Sequence, residues 1–334
     1  MTESEPAPPE VSVVIPSFQR RGALERLLRA LEGQTLSASR FEVVVAIDGS
    51  SDGTKEMLES FRAPYQLRWA WQPNGGRAAA CNTALRRARG DIVVILDDDM
   101  EPSPGLLDAH RREHPPGSRR CVMGAVPITV GDGASPHVRY VATKFDEHLA
   151  SLARADHRFQ IRDFYSGNTS VRRDELLAAG LFDDRFRAYG NEDLELAHRL
   201  AASGVELGFS PQAMARQHYD KSLRALAKDE LAKGHTAVLF AEAHPDALRG
   251  MKITALREQP ARRRALRRVL LWATRVFWRV PDVVLGAVAV GERLVPNRSQ
   301  LIHRFALEYF YVLGVEQEMR ARAAQSPPAA ARTG

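Results

Sequence analysis

The sequence predicts an α/β fold, a Rossmann-like and mostly parallel sheet flanked by helices, with a helical carboxy-terminal region after it. Three observations predict this. Short apolar runs alternate with helix-period segments through residues 11–96. Turn and acidic residues stand at the ends of three of those runs, and beyond Ser222 strand signals give way to helix signals. Continuous apolar strands separated by amphipathic helices indicate a parallel sheet covered on both faces. Ligands of such sheets bind beyond the carboxyl ends of the strands.

Each element has its own reason. Residues 11–16 (VSVVIP) read as a buried strand, and Leu24, Leu27, Leu28 and Leu31 give the one-sided spacing of a helix. Phe41–Ile47 is a second strand, closed by the turn residues Asp48-Gly49-Ser50, and Ser51 or Asp52 can cap a helix to about Phe61. Gln66–Trp71 is a third strand. The turn Pro73-Asn74-Gly75-Gly76 leads into an Ala-rich helix over 77–89, and Asp91–Leu96 is a fourth strand ending in Asp97-Asp98-Asp99. Later elements are a strand over 121–128, a helix near 138–154, a helix over 192–202 and short strands near 205–209 and 213–218. The expected organisation is a disordered start (1–10), a main domain (11–222), a helical region (223–322) with a basic amphipathic segment (257–298), and a disordered tail (323–334).

Composition excludes several classes. With 44% hydrophobic residues, 26% charged residues and two cysteines among 334 residues, the chain is neither disordered nor a disulfide scaffold. The longest uncharged run, Cys121–Gly131, is about half of what a bilayer crossing needs. The start is acidic and Pro-rich and lacks the pattern of a secretory signal, so Cys81 and Cys121 are expected to be buried, reduced thiols. The net charge of +6 is local: eight arginines and one acid between Arg257 and Arg279 supply +7, and the rest sums to −1. The basic balance is therefore no argument for nucleic acid as a partner.

Asp97-Asp98-Asp99 carries the strongest chemical signal. Adjacent carboxylates repel, and a hard divalent cation relieves the repulsion while neutralising a diphosphate; a solvated acidic turn is the other reading. Asp48 could accept hydrogen bonds from a base or ribose, or simply form a turn. Arg77, at a helix start with free N–H groups, suits a phosphate. Glu192-Asp193 opens a helix, either answering its dipole or providing a general base. His110-Arg111-Arg112-Glu113-His114 matches a zinc-peptidase pattern, but Pro115-Pro116 ends its helix and no third ligand follows.

Five motifs in order, VSVVIPSFQR, FEVVVAIDGSSDGT, NGGRAAACNTALRRARGDIVVILDDDM, FYSGNTSVRRDELLAAGLFDDRF and YGNEDLELAHRL, resemble the family-2 glycosyltransferases, inverting enzymes of the GT-A fold. The resemblance runs from Val11 to about Ser222. It implies that Pro16, Ser17 and Asp48 bind the nucleotide, with Pro16 and Asp48 at the base. Arg77 and Asn82 lie near it, and Asp98 faces the ribose. It further implies Asp97, Asp99 and, where some relatives place another ligand, His218 at a Mn²⁺ or Mg²⁺ ion. Gly167 and Asn168 line the donor-sugar side, Asp193 is the base and Glu192 binds the acceptor. The implied donor is a nucleotide-sugar, with uridine the commonest base, and the acceptor is a lipid-linked or other cell-surface glycan precursor. Ile47 departs from the family, which often has a second Asp there, and the Q-x-x-R-W motif of processive synthases is absent after Asp193.

Leu266, Leu270, Ala273, Phe277 and Val280 repeat with helical spacing among the arginines. Such a basic amphipathic helix either lies on an anionic membrane surface, giving a peripheral protein on the cytoplasmic side, or packs on the main domain. Two other functions share the motifs: the same transfer to a soluble small molecule, and a non-catalytic nucleotide- or membrane-binding homologue.

Overall fold

The computed structural model describes residues 8–249, 251–295 and 299–325. The chain forms two compact units. One is built from residues up to 134 with 141–187 and 192–220, the other from 135–140, 188–191 and the residues from 221 onward.

The first unit opens with β1 (Val11–Ser17), α1 (Arg21–Glu32), β2 (Phe41–Asp48), α2 (Thr54–Ser60), β3 (Gln66–Gln72), α3 (Arg77–Leu85) and β4 (Ile92–Leu96). β1 pairs in parallel with β2 and β4, and β2 with β3. β1, β2 and β4 are buried along their whole length, which is why they read as unbroken apolar runs. The four leucines of α1 close one side of this core. α3 stops at Leu85, short of the expected Arg89, because the chain must turn tightly into β4. At that turn the amides of Arg89 and Gly90 donate to Ser12 Oγ, whose hydroxyl donates to the buried Glu42. A side chain on Gly90 would lie 2.7 Å from the Ser12 amide nitrogen.

The chain continues through β5 (Met100–Pro102), α4 (Leu106–Arg112), β6 (Arg120–Gly124), β7 (Ile128–Thr129), α5 (Pro136–Leu152), β8 (Asn168–Arg172), α6 (Arg173–Ala178), α7 (Glu192–Ala202), β9 (Glu206–Ser210) and β10 (Ala215–His218). The main sheet runs β3-β2-β1-β4-β8-β6-β9, and a small second sheet runs β5-β10-β7. β8 is antiparallel to both its neighbours, the one exception in an otherwise parallel sheet. The strand expected over 121–128 divides in two: after Gly124 the chain leaves the main sheet, and Ile128 pairs with Gln217 in the small one. Pro127, which has no N–H to give a ladder, stands at the break.

The second unit contains α8 (Leu223–Ala243), α9 (Lys252–Ala255), α10 (Ala261–Val276), α11 (Val280–Leu294) and α12 (Ser299–Gln325). α12 extends past the expected end at 322, and residues 1–7 and 326–334, part of the expected disordered ends, lie outside the described residues. α8 and α12 touch backbone to backbone: a Cβ on Gly234 would lie 2.1 Å from the Tyr311 carbonyl oxygen, and one on Gly314 2.0 Å from that of Leu231. Glu292 of α11 accepts from both His137 and the fully buried His303. The apolar stripe expected on this segment divides: Leu270 and Val280 pack, partly buried, against the core that holds Leu271, whereas Leu266 and Phe277 are 53% and 62% exposed.

The zinc-peptidase pattern is a packing device. His110 and His114, both buried, meet Ser170, and His110 Nε2 lies 2.8 Å from Asn168 Oδ1. Asn168 Nδ2 donates to the carbonyls of Ala125 and Ala213, so its Oδ1 accepts and His110 carries its proton on Nε2. Burial holds both imidazoles neutral, His110 at a pKa of about 4 and His114 at about 3. Both values lie below the unfolded one, so the unfolded chain binds more protons between pH 6.5 and 4 and stability falls as pH falls through that window. The urea midpoint is expected to drop between pH 7 and pH 5 by the equivalent of about 2 kcal/mol per histidine. His114→Gln should flatten that slope; an unchanged slope contradicts the assignment.

Candidate functional site

The site is assembled at the carboxyl ends of β1, β2 and β4, where the parallel strands deliver Ser17, Asp48 and the Asp97–Asp99 cluster. Three successive carboxylates emerge from the buried end of β4, and two of them, Asp98 and Asp99, are themselves buried. Burial pushes Asp98 up to a pKa of about 7 against the pull of Arg20 and the Ser17 hydroxyl. Asp99 is raised by burial and by Asp97, again against Arg20. Such a cluster needs cations, and two arginines supply them.

Arg20 Nη1 bridges Asp98 Oδ1 at 3.2 Å and Asp99 Oδ2 at 2.8 Å. It stands just ahead of α1, after Gln19, whose φ of +55° turns the chain sharply out of β1. The Gln19 amide and side chain donate to Ser50 and Ser51 beyond β2, which ties together the loops after the two strands. Asp52 links them again, accepting from the Arg21 amide at the start of α1 and from Thr54 at the start of α2.

Arg77 is the second cation. Its Nη2 lies 2.7 Å from Asp97 Oδ1, and its Nη1, 3.6 Å from Glu192 Oε1, is buried without a hydrogen-bond partner. Although burial opposes its charge, Asp97 and Glu192 hold Arg77 well above its ordinary value. Its place is set by Asp48, whose carboxylate accepts from the Gly75 and Gly76 amides and from Gln72 Nε2. Gly76 has a φ of +90°, and a Cβ there would lie 2.5 Å from the Arg187 carbonyl oxygen, so only glycine fits. Gly167 likewise backs onto the cluster, since a Cβ would come within 2.7 Å of Asp97 Oδ2.

The expected residues thus divide. Ser17, Arg77, Asp97, Asp98, Asp99, Gly167 and Glu192 are brought together. Buried Glu192 faces Arg77. Its neighbour Asp193 is less buried, and Asp193 Oδ1 accepts from the Leu194 amide in the first turn of α7. Pro16 is buried within β1. Asn168 is fully buried in the histidine network. Asn82, buried in α3, clamps the Phe182 backbone and the Asp184 side chain. Arg20 and Gln217, which donates to Asp99, have no role in the sequence reading. An arginine three residues past a strand-end serine was the only available sign of the first.

His218 lies 2.6 Å from Glu101 through Nε2 and, with Asp99 and Asp220, lines a cleft of about 340 Å³. Arg20, Arg21 and Arg26 line the same cleft. Among the described residues no three His, Cys, Asp or Glu side chains converge as a closed metal cage. Mg²⁺ and similar hard cations commonly take one or two carboxylates plus substrate phosphates. A carboxylate and an imidazole on a cleft with three arginines fit a divalent cation that arrives with a diphosphate.

Comparison with known proteins agrees with this geometry. A family model described as Glycosyl transferase family 2 matches residues 12–180, and one described as N-terminal domain of galactosyltransferase matches residues 147–221. The chain is 28% identical over 247 residues to the uncharacterized glycosyltransferase YfnE of Bacillus subtilis, covering 59% of this chain and 61% of that protein. It is 29% identical over 191 residues to the GalNAc(5)-diNAcBac-PP-undecaprenol beta-1,3-glucosyltransferase of Campylobacter jejuni, covering 55% of this chain and 57% of that protein. The chain therefore spans about three fifths of the length of these curated relatives. Among solved structures it resembles the mannosyltransferase PcManGT from Pyrobaculum calidifontis, in complex with GDP-Man and Mn²⁺, with a TM-score of 0.62 and 21% identity. That likeness covers 95% of this chain and 89% of that one, and it establishes the GT-A fold.

Arg77→Met removes the guanidinium that meets both Asp97 and Glu192 and is expected to cost about 3–5 kcal/mol, read from urea unfolding. Adding Glu192→Gln should recover part of the loss. A cost below about 1 kcal/mol, the range of an exposed pair, contradicts the buried bridge.

Proposed function

The chain belongs to glycosyl transferase family 2, and from that premise we propose that it moves a sugar from a nucleoside-diphosphate sugar to an acceptor hydroxyl, with inversion. The observation that carries the proposal is the Arg77 bridge, because it fastens Asp97 of the acidic strand end to Glu192, the residue beside Asp193. Carboxylates suited to the cation of a diphosphate and an acid suited to an acceptor hydroxyl are thereby linked through one guanidinium.

In this reading residues 11–222 carry the chemistry. Pro16, Ser17, Asp48 and Asp98 form the nucleoside side, and the arginines of the cleft meet the diphosphate. Asp99 and His218 would hold a Mn²⁺ or Mg²⁺ ion, with Asp97 alongside; when bound, such an ion offsets charge on the departing nucleoside diphosphate. Asp193 takes the proton of the acceptor hydroxyl as its oxygen attacks the anomeric carbon. The bond from that carbon to the diphosphate oxygen breaks, and its electron pair leaves with the diphosphate. A single displacement needs one base and inverts the centre. Base assistance of this kind is worth about 10²–10⁴-fold.

The acceptor we propose is a lipid-linked or cell-surface glycan precursor, presented at an anionic membrane surface. Two features support it: the undecaprenol-linked substrate in the name of the Campylobacter relative, and the surface of α10 and α11. Trp272, Phe277, Trp278, Val283 and Leu294 are all more than half exposed among the basic residues of this region. No helix among the described residues is long and apolar enough to cross a membrane, so contact would be with one leaflet.

Asp193→Asn is expected to keep nucleotide binding and to lower kcat by about 10²–10⁴-fold, while Asp99→Ala should lose metal-dependent nucleotide binding. Proton NMR of the product should show the anomeric configuration opposite to the donor's. Near-normal turnover by Asp193→Asn, or a retained configuration, overturns the proposal.

A further inference from the structure

The second unit contains a cavity of about 400 Å³ that the transfer chemistry does not use. Its walls combine four arginines, Arg257, Arg264, Arg267 and Arg268, with the apolar side chains of Leu256, Leu271, Val312 and Val315. Arg264, Arg267, Arg268 and Leu271 follow helical i, i+3, i+4, i+7 spacing, so one face of α10 presents all of them.

The positive charge in this cavity is answered only in part from within the protein. Arg264 Nε is buried without a hydrogen-bond partner, and its Nη1 donates only to the Arg257 carbonyl. Arg267, with 8% of its side chain exposed, donates to Gln259 and to the Leu256 carbonyl, and its nearest carboxylate, Glu308, stands 3.8 Å away. Burial, with Arg264 close by, holds Arg267 below its ordinary value. The one acid lining the cavity, Glu316, is already paired with Arg275 at 2.8 Å and Arg320 at 3.6 Å. Among the described residues none of Arg257, Arg264 and Arg268 has an ion-pair partner. Arg267 is buried, Arg264 half-buried, and Arg257 and Arg268 stand exposed at the rim, so the cluster runs from the cavity to its mouth, where guanidinium groups suit an oxyanion. The apolar floor calls for hydrocarbon attached to it.

The adjoining face of α10 supplies the setting. Leu266, Val269, Trp272 and Val276 lie next around the helix and are 53%, 59%, 61% and 54% exposed. We propose that this cavity is a lipid-phosphate site: the arginines take the phosphate of an anionic lipid, Leu256, Leu271 and Val312 take its first carbons, and the adjoining exposed stripe enters the hydrocarbon. The proposal rests on the membrane-surface reading above and adds a specific headgroup site to it.

The test titrates the full chain with three probes: inorganic phosphate, monomeric dihexanoyl phosphatidylglycerol, and phosphatidylcholine vesicles with and without phosphatidylglycerol. The short-chain lipid is expected to bind at least about tenfold more tightly than inorganic phosphate. Arg264→Gln with Arg268→Gln should weaken both lipid binding and anionic-vesicle binding by about tenfold or more. The matching pair of lysine substitutions separates lost charge from misfolding and should retain vesicle binding. Trp272→Ser with Trp278→Ser should lose vesicle binding while keeping the short-chain lipid. Equal affinity for inorganic phosphate and the lipid makes this a free-anion site and overturns the proposal. Vesicle binding that survives the glutamine pair, with no short-chain lipid bound, overturns the cavity site alone. Indifference of the unaltered chain to anionic vesicles overturns the membrane reading itself.

Discussion

Three carboxylates in succession at the buried end of β4 are the constraint around which the first unit is organised. Like charges this close in a poorly solvated site raise one another's pKa, and Asp98 and Asp99 are both held above their ordinary values. The fold answers with two arginines brought from different elements. Arg20 comes from the turn after β1 and Arg77 from the first residue of α3. Each depends on an unusual backbone: Gln19 in the left-handed region before Arg20, and Gly76 before Arg77. Asp48 in turn secures Gly75 and Gly76. The chain of dependence from Asp48 through the glycine turn and Arg77 to Asp97 and Glu192 is continuous, and it ends one residue from the proposed base.

Several of the expected site residues also hold the protein's own chain. Asp48 meets the protein's own amides, Glu192 meets Arg77, and Asn82 fixes the segment around Phe182. Asn168, with His110, His114 and Ser170, holds β8 against α4. β8 is where the parallel sheet admits an antiparallel strand, and the residue just before it, Gly167, presses against Asp97. The second unit solves a different problem. α10 carries buried positions, a row of arginines and an exposed apolar stripe on one helix, the arrangement from which the proposed membrane-surface contact is argued.

Much of the first half was legible in the sequence because burial writes itself as pattern. β1, β2 and β4 are unbroken apolar runs, α1 shows its leucines at helical spacing, and the glycine turn and acidic triplet mark strand ends. β8 was not legible, since Asn168, Thr169 and Ser170 are polar residues whose partners, His110 and His114, lie about sixty residues away in sequence. The same distance hid the role of the H-x-x-E-H pattern. Arg20 and Gln217 were missed because an ion pair or hydrogen bond between remote segments leaves no periodicity. On α10 the spacing was read correctly as helical, but which of its leucines pack inward was not legible. Leucines occupy both the inner and outer faces there, so only packing distinguishes Leu271 from Leu266.

The central claim is that the acidic strand end, already balanced by Arg20 and Arg77, is built to receive a diphosphate together with a divalent cation. Calorimetric titration of the full chain with UDP and with GDP, each in Mn²⁺ and in chelator, tests it most directly. The account predicts binding of at least one of them in Mn²⁺ and its loss in chelator or in Asp99→Ala. Binding of equal strength in chelator, unaffected by Asp99→Ala, would contradict it.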